Sequence, residues 1–170
     1  MLFRSGIYGV LGNHDYQLPT AWVVKEFAKQ KIIILNNQGV SLSKNGEHIF
    51  LAGVEDSWYG KPSWQQASQT NKNADFKLLI AHQPNFIDEL KVSDGVNFVF
   101  AGHTHGMQIN MFHYFPFLPK SISRWEYRVG LVSTKQTRML VSPGIGTAPP
   151  YFRFGSPAKI HLITFKSLAK

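Results

Sequence analysis

Cysteine is absent from this chain. Disulfides and thiolate metal sites are therefore excluded, although the compartment is left open. No apolar run is long enough to span a bilayer. The opening residues Met1–Gly6 are too short for the apolar region of a signal peptide, so any membrane contact would be peripheral. There is no low-complexity tract, no internal repeat and no linker, which argues for one compact unit over residues 1–170. Charged residues make up only 16%, yet their balance is +8. That excess favours anionic partners such as phosphates or acidic lipid surfaces. No run of Lys and Arg forms a nucleic-acid arm, and no nucleic-acid partner is expected. The expected location is the cytoplasm, with peripheral contact on the inner membrane face.

Aromatic residues, in contrast, are plentiful: 13 Phe, 6 Tyr and 4 Trp. Several short apolar runs read as strands: Gly6–Leu11, Ile32–Leu35, Val40–Lys44, Glu47–Val54, Phe76–Ala81, Val96–Phe100, Val129–Ser133 and Arg138–Ser142. Lys159–Phe165 alternates as a closing strand. Asn45-Gly46 between two of the runs is a strong hairpin signal. A helix is expected from Pro19-Thr20 to about Gln30, with Trp22, Val23, Phe27 and Ala28 near helical spacing. A shorter helix is expected from Pro62, whose missing donor suits a first turn. Residues 111–125 hold Met111, Phe112, Tyr114, Phe115, Phe117 and Leu118 beside Lys120 and Arg124. Such a segment either caps the core or docks at a membrane interface. Strands dominate and polar clusters fall at strand ends, which points to an α/β layered sandwich with its site along one sheet edge.

Three of those clusters share one context, an apolar strand followed by a turn bearing His or Asn. They are Asn13-His14-Asp15, His82, and His103-Thr104-His105 between Gly102 and Gly106. In an extended segment the side chains at i and i+2 share a side, so both imidazoles of His103 and His105 can face one volume while Thr104 points away. Glycines on either side would let the backbone bend sharply. Histidine is the usual nitrogen ligand for transition metals, and an amide oxygen such as that of Asn13 can complete a mixed site. Each cluster alone also has a local reading: Asn13-His14-Asp15 as a turn bonded to its own backbone, and His82 as a hydrogen-bonded helix start.

Taken together, Gly12-Asn13-His14-Asp15, Leu79-Ile80-Ala81-His82 and Gly102-His103-Thr104-His105-Gly106 resemble the calcineurin-like metallophosphoesterases, in that family's order. Leu51–Asp56, Gly106–Ile109 and Pro143–Thr147 resemble a bacterial subgroup of membrane-associated phosphodiesterases and UDP-diacylglucosamine pyrophosphatase-like enzymes. The resemblance implies an α-β-β-α sandwich and two divalent ions, Mn, Fe or Zn. Asn13, His82 and His103 would bind one ion and His105 its neighbour. His14 would contact the phosphoryl group and protonate the leaving oxygen, and Asp15 would orient or polarise it. The implied reaction is hydrolysis of a phosphodiester or pyrophosphate, on a lipid-linked or nucleotide substrate, by a hydroxide bridging two metals.

The family's upstream Asp-x-His and Gly-Asp motifs have no counterpart among the eleven residues before Gly12. The chain thus resembles the carboxy-terminal portion of such an enzyme, with a sandwich incomplete at its amino terminus. The alternative is a catalytically incomplete domain that serves as a binding or interaction module.

Overall fold

The computed structural model describes residues 6–44, 46–71, 74–110 and 124–166. Two sheets form. Strand β1 (Ile7–Gly9) pairs in parallel with β2 (Ile32–Ile34). A mixed six-stranded sheet is built from β3 (Gln38–Lys44), β4 (Glu47–Gly53), β5 (Phe76–Ala81), β6 (Phe98–Ala101), β7 (Gly130–Ser133) and β8 (Arg138–Val141), in the order β3-β4-β5-β6-β8-β7. Within it β4, β5, β6 and β8 are parallel, while β3 and β7 are antiparallel edges. The turn between β3 and β4 carries Gly46 at φ +82°, a left-handed backbone that glycine adopts without penalty. Helices are few: α1 (Thr20–Lys29), α2 (Trp64–Ala67) and several single 3-10 turns.

The apolar runs become strands because the central sheet is covered on both faces, and its residues alternate between two cores. Phe50, Ala52, Leu79, Ala81, Val99, Ala101, Met139 and Val141 face the larger core, with Trp64, Phe86, Ile87 and Tyr127 packed over them. Leu51, Leu78, Ile80, Phe98 and Phe100 face the other way, toward Leu35 and Tyr8 of the small-sheet layer. On the far side of β1 and β2, Val23 and Phe27 of α1 close on Leu11 and Ile34. The layers are therefore helix, small sheet, large sheet and short helices, an α/β sandwich as the sequence implies. Among the described residues no helix is long and apolar enough to cross a membrane. Of the aromatic segment at 111–125, expected either to cap the core or to dock at a membrane interface, residues 111–123 lie outside the described set.

Several local expectations shift. Trp22 and Ala28 of α1 are exposed; Val23, Val24 and Phe27 make the apolar contact. Pro62 does not open α2. Ser63 caps it, and its hydroxyl accepts the Gln66 amide at 3.2 Å, the interaction that makes serine a preferred cap. Lys159–Phe165 forms no strand: Ile160 and Leu162 are 87% and 98% exposed. Alternation supplies a preference for extended backbone, but a strand also needs a hydrogen-bonded neighbour. Phe165 instead leans on the sheet, with its ring centroid 5.0 Å from that of Phe76 and 5.5 Å from that of Phe98.

Candidate functional site

The parallel strands end at one rim. Gly53, Ala81, Ala101 and Val141 are the last residues of β4, β5, β6 and β8, and Ala81, Ala101 and Val141 are in register. Beyond the carboxyl ends of such strands the backbone leaves the ladder, so side chains from separate loops can converge. His82 is the first residue after β5, His103 the second after β6, and Asn13 follows β1 by four residues. The end of the small sheet thus meets the end of the large one here.

Three of the sequence-derived candidates come together. His82 Nε2 lies 2.9 Å from Asn13 Oδ1, His103 Nδ1 lies 3.1 Å from the same oxygen, and the two ring nitrogens are 3.2 Å apart. Those edges suit three ligands held about 2.0–2.1 Å from one ion. Hydrogen bonds can satisfy the two edges at Asn13, but they would leave two ring N–H groups facing each other. A cation accepts all three lone pairs at once. Burial, the largest cause, lowers the pKa of His82 and brings that of His103 down to about 4, with the neighbouring histidines acting in the same direction. Both rings are therefore neutral near pH 7, the form that ligates metal. No group of three or more His, Asp or Glu side chains converges among the described residues. The third corner of the triangle is the amide oxygen of Asn13.

The other candidates are arranged differently. His14 is exposed, and its Nδ1 lies 3.3 Å from Gln17 Nε2. An amide donating to Nδ1 leaves the ring proton on Nε2. The Asp15 carboxylate accepts the Gly12 amide at 2.8 Å, so it ties the Gly12–Asp15 turn to itself. His105 is not in the triangle. Its Nδ1 faces the Gly146 carbonyl at a long 3.4 Å. It nevertheless shares the neighbourhood, since it and His14 are among the groups whose electrostatic effect lowers the pKa of His82 and of His103.

The expected extended His-x-His is replaced by a tight turn. His103, His105, Gly106 and Met107 have φ of 66°, 52°, 61° and 63°, so the extended geometry on which that expectation rested is not adopted. Gly102 is not left-handed, and a Cβ there would meet nothing within 4 Å. The glycine that permits close approach is Gly12, where a Cβ would stand 2.5 Å from His82 Cε1. Thr104 Oγ1 donates to the Arg128 carbonyl at 2.6 Å.

Sequence reasoning passed over Asp56, which is fully buried. Its Oδ1 accepts the amides of Trp58 and Tyr59 at 2.8 and 3.0 Å, and its Oδ2 accepts Gln83 Nε2 at 2.5 Å. Gln83 in turn accepts the Ser57 amide at 2.9 Å. The residue beside His82 is thereby bolted to the 55–60 loop. That loop carries Trp58, half exposed, with its ring edge-on to His103 at 4.7 Å between centroids. Asp-x-Trp-Tyr-Gly, an acidic residue opening a turn, was the available signal. The cleft of about 650 Å³ bordered by Tyr8, Leu35 and Gln66 includes none of the candidate residues; the histidines stand on the open rim.

Comparison with known proteins shows the family. Residues 2–107 match the family described as calcineurin-like phosphoesterase. An uncharacterized Bacillus subtilis protein, YpbG, is 30% identical over 95% of this chain and 59% of its own length. The uncharacterized metallophosphoesterase YkuE of the same organism is 29% identical over 93% of this chain and 55% of its own. An uncharacterized metallophosphoesterase of Helicobacter pylori is 32% identical over 91% and 41% respectively. The chain thus spans a little over half the length of the two Bacillus relatives. No solved structure matches it significantly.

Proposed function

The chain belongs to the calcineurin-like phosphoesterase family, and from that premise we propose that it is a metal-dependent phosphoester hydrolase whose first metal is held by Asn13, His82 and His103. The observation that carries the proposal is the triangle of 2.9, 3.1 and 3.2 Å formed by one amide oxygen and two imidazole nitrogens from three separate loops. A divalent ion bound there would supply a low-pKa water and offset charge on phosphoryl oxygens; Mn, Fe and Zn all suit mixed nitrogen and oxygen donors. His105 is assigned to a second ion.

The chain's own groups divide the remaining work. His14 is the exposed imidazole at this rim, and with its proton on Nε2 it can donate to the oxygen leaving phosphorus. Asp15, through the Gly12 amide, fixes the turn that presents Asn13 and His14 side by side, and so acts as a positioning residue. The substrate in this reading is a phosphodiester or pyrophosphate bearing an apolar or planar group, lipid-linked or nucleotide. Its support is the exposed Trp58 and Tyr59 at the rim, together with the +8 balance.

Hydrolysis of bis(p-nitrophenyl) phosphate with Mn²⁺ tests the proposal, in this chain and in a form extended to the length of its relatives. Turnover that His14→Ala and His103→Ala abolish is expected in at least one form. Turnover unchanged by both substitutions would remove the proposed site. A second reading, a domain that binds metal without turnover, draws support from His105 standing outside the close contacts of the triangle. It takes precedence if both forms bind Mn²⁺ and neither hydrolyses the diester.

A further inference from the structure

The sequence gives no sign that Arg153 differs from ordinary surface charge, but its surroundings are unusual. No carboxylate pairs with it among the described residues. Its guanidinium is spent on backbone carbonyls instead. Nη1 donates to the carbonyls of His105 at 2.9 Å and Ser156 at 3.2 Å. Nη2 donates to Pro143 at 2.7 Å and also to Gly146. One planar fork therefore joins three chain segments: the turn at 105–107, the loop at 143–146 and its own segment. Ser156 Oγ donates to the same His105 carbonyl at 3.1 Å.

Two of these contacts bear on the histidine itself. The Gly146 carbonyl that Arg153 grips is also the one facing His105 Nδ1 at 3.4 Å. A carbonyl in that place keeps the ring proton on Nδ1 and leaves the Nε2 lone pair free, the arrangement common to metal-binding histidines. The other contact holds the His105 backbone, in a turn where φ is positive at His105, Gly106 and Met107. A non-glycine residue in that region costs on the order of 1 kcal/mol and persists only when its surroundings enforce it. Gly106 is hemmed in on the same side, since a Cβ there would stand 2.8 Å from Pro143 Cβ. The turn, the loop and the arginine thus pack as one block.

We propose that Arg153 is the positioning residue for His105, holding its backbone directly and its imidazole through the Gly146 carbonyl. Position and not charge is what it contributes. A lysine would keep the cation but could not span carbonyls on three segments, because an ammonium is a point donor without the rigid fork. The consequence for metal binding rests on the assignment of His105 to an ion in the proposed function; the fastening of the turn does not.

The test has two parts. In the metal-free chain, amide hydrogen exchange at Gly106 and Met107 is expected to rise at least about tenfold in Arg153→Lys and Arg153→Ala, while Leu79 and Val99 in the central strands keep their protection. Unchanged exchange at Gly106 and Met107 overturns the proposal, and so does a uniform rise that includes the strands. The second part follows Mn²⁺ affinity by electron paramagnetic resonance in a double-mutant cycle. Each Arg153 variant is expected to weaken Mn²⁺ about tenfold, and no further once His105→Ala is present. Recovery in Arg153→Lys, or losses that multiply with His105→Ala, would overturn it. If His105→Ala alone leaves Mn²⁺ affinity unchanged, the assignment of His105 to a metal fails, and hydrogen exchange alone decides whether Arg153 holds the turn.

Discussion

Replacing Gly12 by alanine probes the triangle without touching any of its three donors. The added Cβ would stand 2.5 Å from His82 Cε1 and 2.7 Å from Nδ1 and Nε2, where ordinary contact begins at 3.4 Å. The obstacle is a rigid ring and not the far end of a flexible chain, so His82 must retreat by roughly 1 Å. Gly12 is not left-handed, so the substitution adds no backbone strain to confuse the result. Overpacking of this kind costs about 1–3 kcal/mol of stability. A shift of that size at a ligand, with edges of only 2.9 and 3.2 Å to its neighbours, is expected to weaken metal about 10–100-fold. Isothermal titration with Mn²⁺ reads the affinity, and thermal unfolding confirms that the protein titrated is folded. Gly102→Ala is the matched control: a Cβ there meets nothing, so both affinity and stability should stay at wild-type values. Gly12→Ala binding Mn²⁺ as tightly as wild type, or Gly102→Ala proving equally damaging, would rule out the steric coupling of Gly12 to His82.

Two further outcomes follow from the same loops. Asp56→Asn would turn an NH₂ toward donors that now have an acceptor, so urea unfolding should show a loss of about 1–3 kcal/mol; an unchanged midpoint would mean that the Asp56 contacts are dispensable. The second outcome concerns pH. His103 titrates near 4 in the folded chain, mainly through burial, against 6.5 unfolded. Between those values the unfolded state binds a proton that the folded state refuses, so stability of the metal-free chain falls as pH drops from about 6.5 to 4 and is flat above. The ring is partly open to solvent, which reduces this contribution to the order of 1–2 kcal/mol. His103→Gln should flatten that part of the slope in urea midpoints measured at pH 4.5 and 7.5; an undiminished slope would assign it elsewhere.

The strands were legible where both faces are buried. Phe76–Ala81 reads as an apolar run because Leu79 and Ala81 face one core while Leu78 and Ile80 face the other, and its end marks the position of His82. The helix of residues 20–29 was legible from spacing, though not which of its large side chains turn outward. The candidate site was legible as residue types at strand ends, since Asn13, His82 and His103 each follow one. Conformation was harder to read. His-x-His suggested an extended pair, but φ is left-handed at His103 and His105, and nothing in the local residues announces that. Lys159–Phe165 shows the limit of alternation, which reports on a face but not on whether a neighbour is present to bond. Asp56, Gln83 and Arg153 escaped because their roles lie in contacts between segments 26 to 48 residues apart.

One amide oxygen and two imidazoles from three loops are proposed to form a metal site. Mn²⁺ affinity of the wild type against Asn13→Ala, His82→Ala and His103→Ala tests it directly, with exposed His161→Ala as the control. Each of the three substitutions is expected to remove the tight binding of the wild type, and His161→Ala to leave it intact. Equal Mn²⁺ affinity in all five proteins would contradict it.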